Sequence, residues 1–235
     1  MFGIFTAIAS AVTSVISAVS STIGPVLANV AKTVVTTLPK LLTIENIAKV
    51  VQIASDIITG ISRVFGLCTE DEKTEEIGAK TMQEGTRPQR PNESTEEYLG
   101  YLRTVPLDKE KFDKMSETEK IAASAIGTGI LIKNIDEKYH VAVTPDFIAA
   151  VHKTAINYEQ AAKIIESFEK NKIESTKDFA DYMGNELSVD KITAVSASVK
   201  EALQEMNPEA TDEVINREIV SMKQEYNKTV DAVEP

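Results

Sequence analysis

Cysteine occurs once in the 235 residues, at position 68, so no intrachain disulfide can form. That suits a reducing compartment, or a particle assembled in one. Histidine occurs twice, as His140 and His152. The pair lacks metal-ligand spacing and no cysteine lies near it in sequence, so neither a metal nor a cofactor is expected. Positive charge is scarce as well: 25 Lys and Arg face 36 Asp and Glu, a formal net charge of −11. Such a chain repels phosphate, which excludes nucleic acid as an expected partner. Residues 2–24 carry no charged side chain at all. No basic stretch precedes that run, so it is not expected to be a secretory signal, and Gly3 lies one place too late for myristoylation.

The charges that exist are unevenly spread. Residues 1–67 hold Lys32, Lys40, Lys49 and Arg63 against Glu45 and Asp56, a net of +2, which leaves −13 for residues 68–235. Composition therefore predicts three regions: an apolar helical region over 1–67, a polar acidic linker over 68–97 and an acidic helical domain over 98–235. The predicted fold class is all-α, with an acidic C-terminal helical bundle.

On a helical wheel of residues 4–23 at about 100° per residue, Ile4, Phe5, Ile8, Val12, Val15, Ile16, Val19 and Ile23 form the apolar side, and Phe2 just ahead of them joins the expected interface. Thr6, Ser10, Thr13, Ser14, Ser17, Ser20 and Ser21 form the opposite arc, and Gly24-Pro25 ends the run. Hydroxyls can bond back to their own helix carbonyls, so this face tolerates a membrane interface, a pore lumen or close packing against other helices. Twenty such residues reach about 30 Å, enough to span a bilayer. The next segment, 26–38, is apolar with threonines and is broken by Pro39.

Residues 43–67 predict a clear helix, with Glu45, Lys49, Gln52, Asp56, Thr59 and Arg63 as its narrow polar stripe. Its apolar arc carries Ile47, Val51, Ile58, Ile61 and Phe65. So wide an arc must be covered on most sides. These five residues, with the nine of the first helix, are the expected membrane or oligomer interface.

Between 69 and 97 stand nine acids, four bases and two prolines. The stretch reads as an exposed linker, with Arg87 and Arg90 in a solvated loop. Beyond it, start signals predict successive short-looped helices. Ser116 and Glu119 form a capping box. Thr144 with Pro145 opens one long helix over 146–171. Ser175 or Thr176 opens a helix that stops near Gly184-Asn185, Ser188 opens another, and Asn207-Pro208 or Thr211 opens the last. Residues 139–143 are the one strand-like run.

Catalytic patterns are thin. Gly127-Thr128-Gly129 is half of a dinucleotide fingerprint without its strand or third glycine, and reads as a site of close helix packing. Ser188 and Lys191 match S-x-x-K without its companion motifs, and Ser188 reads as an N-cap. A nucleophilic Cys68 would need a partnered base. The expectation is a non-enzyme: a structural or assembly protein of a larger particle, such as a virion or phage-like injection machine. It would be made in a reducing compartment and then be particle- or membrane-associated. Its partners would be other protein subunits, as a homo-oligomer or large assembly, with a membrane as the other candidate. A pore-forming or membrane-permeabilising toxin is the alternative, and an enzyme with an unrecognised site is the third reading.

Overall fold

The structure, a computed structural model, describes residues 44–231. The expected helix of residues 4–23, its nine interface residues from Phe2 to Ile23, and the 26–38 segment lie outside the described residues. The described chain is all-α. It contains α1 (Ile44–Val64), α2 (Thr74–Met82), α3 (Thr95–Thr104), α4 (Lys109–Asp113) and α5 (Glu117–Tyr139). These are followed by α6 (Pro145–Thr154), α7 (Tyr158–Lys170), α8 (Lys177–Gly184), α9 (Val189–Met206) and α10 (Asp212–Asp231). The chain divides into two compact units, with the boundary between Glu137 and Lys138 in the last turn of α5.

In the unit ending at Glu137, α1 stops where Gly66 takes a left-handed φ of 66° and the Leu67 N–H turns back to the Ser62 carbonyl. Five of the six predicted stripe residues are exposed, while Thr59 is buried. Ile47, Val51, Ile58, Ile61 and Phe65 are all buried within the single chain, Ile58 and Ile61 completely. The expectation that lipid or a partner must cover this arc is therefore corrected: the chain covers it. The buried Ser55 and Thr128 hydroxyls bond at 2.7 Å and tie α1 to α5.

The 68–97 stretch is not an exposed linker. Thr74, Ile77, Gly78, Ala79 and Thr81 of α2 are buried. These small and apolar residues line one face of a short helix that also carries Glu75 and Glu76 and is flanked by further acids, so average composition hid the stripe. A Cβ on Gly78 would lie 1.8 Å from the Ala123 carbonyl oxygen, and one on Gly127 would lie 1.9 Å from that of Thr74. Backbone thus meets backbone where α2 crosses α5, and Gly127 serves close packing as expected. The N-terminus of α3 has a Ser94–Glu97 capping box, and its Thr95 N–H and hydroxyl both donate to the Glu137 carboxylate. Tyr98, Leu99 and Leu102 on α3 are buried. An independent domain starting at residue 98 would cut through this unit.

In the unit starting at Lys138, α7 packs along α9, and α8 contacts α6, α9 and α10. Phe147 and Phe179 meet edge-on with ring centres 5.5 Å apart. The helix expected over 146–171 is two helices. Ala155 takes a left-handed φ of 53° after α6, and Asn157 and Gln160 form a reciprocal capping box that starts α7. The strand-like run supplies a single bridge, Ala142 to Ser175, and no named strand occurs among the described residues. Thr176 spends its hydroxyl on this bridge, donating to the Ala142 carbonyl and accepting the Thr144 N–H, instead of capping α8. Ser188 occupies the N-cap position of α9 without a side-chain cap bond, and Thr211 caps α10.

Candidate functional site

The polar residues best placed for chemistry cluster in the unit ending at Glu137, in the two loops flanking α2. In the first loop, Arg63 reaches back from α1 and donates to the carbonyls of Thr69, Glu70 and Glu72. Arg103 of α3 pairs bidentately with the Glu72 carboxylate at 2.8 and 2.9 Å and also donates to the Leu67 carbonyl. Burial pushes the Glu72 carboxyl up, but the Arg103 guanidinium and the Thr69 N–H outweigh it and hold the group below the usual carboxylate range. Cys68 lies buried beneath this strap with its Sγ 3.6 Å from the Thr59 carbonyl oxygen. Burial, then the Glu72 charge, push its thiol up to about 11. A thiol so held is protonated at neutral pH, which is the opposite of what a nucleophile needs.

The second loop, 83–94, is built around Arg87. Its guanidinium lies 4.1 Å from the Tyr101 ring centre and pairs bidentately with Glu93. The Arg87 N–H donates to the Tyr101 hydroxyl, and the Tyr98 hydroxyl donates to the Arg87 carbonyl. The Arg87 hydrogen bond, with the Arg90 N–H, holds Glu93 down at about 2. Burial pushes Tyr98 up to about 12. The expected solvated loop is therefore anchored through Arg87, while Arg90 is exposed. Pro88 and Pro91 were legible as turn signals; the aromatic seat from α3 was not, because it comes from residues 98 and 101.

Between α2 and the 107–115 segment lies a pocket of about 460 Å³. Met82, Leu107, Phe112 and Met115 give it apolar walls, and Lys111, Lys114, Glu84 and Asp108 stand among its lining residues. The Gln83 amide holds one wall, donating to the Pro106 carbonyl and accepting the Asp108 N–H. Its lining contains no histidine and no cysteine. Carboxylates and amines thus share the pocket with its apolar walls.

His140 and His152 are both exposed and belong to the other unit. Lys191 donates both its bonds to Asp178 at 2.9 Å, so the S-x-x-K match is not a Ser–Lys dyad. Lys153 and Lys223 rest over the Tyr226 and Tyr182 rings, and burial pushes both amines down. Among the described residues, no group of three or more His, Cys, Asp or Glu could hold a metal ion, and no helix is long and apolar enough to cross a membrane. No protein-family model, curated protein or solved structure matches the chain.

Proposed function

We propose that this chain is a non-enzymatic assembly protein of a larger particle, such as a phage or phage-like injection machine. Residues 1–43 are the part that engages sister subunits or a target membrane. One contrast carries this reading. The apolar arc of α1 is already covered by the chain itself. Residues 1–43, by comparison, hold Lys32 and Lys40 as their only charged side chains and, Asn29 aside, are otherwise apolar or hydroxyl-bearing. That composition calls for a neighbour, since large contiguous apolar surface is rarely left in water. The arginines that hold the two loops flanking α2 support the reading in a second way. Arg63, Arg87 and Arg103 bind the chain's own carbonyls and carboxylates, which is a structural use of charge.

The test is to size the purified full chain by light scattering, alone and with anionic liposomes, beside Val12→Lys and Ser17→Lys. A self-assembled or liposome-bound wild type that Val12→Lys abolishes supports the proposal, because burying an unpaired ammonium costs several kcal/mol. A monomer that ignores liposomes, or variants indistinguishable from wild type, overturns it. The hydroxyl arc of the 4–23 segment favours pore formation as a second reading. That reading requires Ser17→Lys to insert and to alter dye release from vesicles.

A further inference from the structure

The 86–92 loop has an inward and an outward side. Arg87 and Gln89 point in: Arg87 sits against Tyr101 and Glu93, while the Gln89 amide donates to the Glu93 carbonyl and accepts from Lys133. Pro88, Arg90, Pro91 and Asn92 are exposed. The loop closes as a turn in which the Glu93 N–H returns to the Arg90 carbonyl, with Pro91 at the second position and Asn92 at a φ of 66°. That is the type II pattern, proline then a left-handed residue. Proline chemistry stiffens the rest. Pro88 and Pro91 have φ fixed near −65°, and Arg87 and Arg90, each before a proline, are driven to the extended region. The Arg90 guanidinium makes no hydrogen bond or ion pair among the described residues.

We propose that the P-x-x-P segment Pro88–Gln89–Arg90–Pro91 is a docking ligand for a partner protein presenting an aromatic-lined groove with an acidic rim. Extended proline segments dock in such grooves because their conformational entropy is already low. Here the fold lowers it further, since Arg87, Gln89 and Glu93 clamp the inner side. The exposed prolines offer the apolar ridges, and the unpaired Arg90 selects a carboxylate on the rim. A net charge of −11 disfavours every acidic surface at long range, so recognition must be local and must rest on Arg90. This interface is separate from the one proposed for residues 1–43.

The test titrates the full chain into a panel of purified polyproline-reading domains that have aromatic grooves and acidic rims, followed by groove tryptophan fluorescence. Saturable binding to at least one domain is expected. Arg90→Glu and Pro91→Ala should each weaken it about tenfold or more, a difference of about 1.4 kcal/mol, while Lys109→Ala leaves it unchanged. Both loop positions are exposed, and unchanged melting of the variants shows that the fold persists. Failure of every domain to bind, or binding that Arg90→Glu and Pro91→Ala leave intact, overturns the proposal. So does Arg90-dependent binding to a single-stranded oligonucleotide in place of the domains.

Discussion

Gly78 and Gly127 face each other's helices in a reciprocal arrangement: Gly78 lies against the Ala123 carbonyl and Gly127 against that of Thr74. Each helix contributes a pair of small residues four positions apart, Thr74 with Gly78 and Ala123 with Gly127. Residues four apart share a face, so each pair forms a shallow notch. The order is inverted between the two, which makes the crossing locally antiparallel. A methyl group at either glycine would overlap a backbone oxygen, and backbone cannot swing aside as a flexible side chain can.

Gly78→Ala and Gly127→Ala should each destabilise the unit ending at Glu137 by about 3 kcal/mol or more, at the upper end of overpacking costs. Gly100→Ala is the control. Gly100 lies in α3 with open space where a Cβ would sit, so its substitution should stabilise by about 0.5–1 kcal/mol. Urea unfolding of the three variants measures both signs.

The junction of α6 and α7 gives a second pair. Ala155 holds a left-handed backbone and is exposed. Ala155→Gly should stabilise by about 0.5–1 kcal/mol by relieving that conformation. Asn157→Ala removes the capping box and should cost about 1 kcal/mol. Thermal melting should move in opposite directions for the two.

Cys68 should be silent to thiol reagents at pH 8 in the folded protein and react fully on unfolding. The thiol's folded value of about 11 lies above its ordinary 9.0. The linked stability is therefore fully present below pH 9 and is lost as pH rises through 11. Arg103→Met, which releases the Leu67 carbonyl and Glu72, should raise the native labelling rate severalfold. Ellman kinetics under native conditions check this.

Glu72 and Glu93 set the acid limit of the same unit. Both carboxyls titrate below their ordinary 4.5, Glu93 at about 2. Their contribution is present above pH 4.5 and is lost as pH falls toward 2. Glu72→Gln and Glu93→Gln should each flatten the dependence of urea midpoint on pH between 4.5 and 2. Unaltered slopes in both would disprove the assignment.

What could be read along the chain was local. Ser116 with Glu119, Thr144 with Pro145, and Gly184-Asn185 named their helix ends because a cap binds backbone within one turn of itself. The Asn157–Gln160 box was written in the same code, and the long apolar period running through Ala155 concealed it. Residues 68–97 misled for a different reason. Only Glu75 and Glu76 of their nine acids lie on α2, whose buried face is Thr74, Ile77, Gly78, Ala79 and Thr81, so the acids of the flanking loops swamped a short stripe in which Ile77 is the one large apolar residue.

The candidate sites were less legible, because their partners are far apart in sequence. Arg87 finds its seat on Tyr101, Arg103 finds Glu72 and Leu67, and Gly78 finds Ala123. The sequence by itself determined the helical periods, the caps, the charge contrast between the first 67 residues and the rest, and the proline-stiffened segment at 88–91. Only tertiary structure decided that α1 is covered by its own chain, that the compact unit ends at Glu137 rather than beginning at 98, and that of the arginines at 87 and 90 one guanidinium is anchored and the other makes no hydrogen bond or ion pair among the described residues. Capping and periodicity are set by bonds within a few residues, whereas coverage and pairing depend on which distant backbone arrives at van der Waals distance, and no local pattern encodes that.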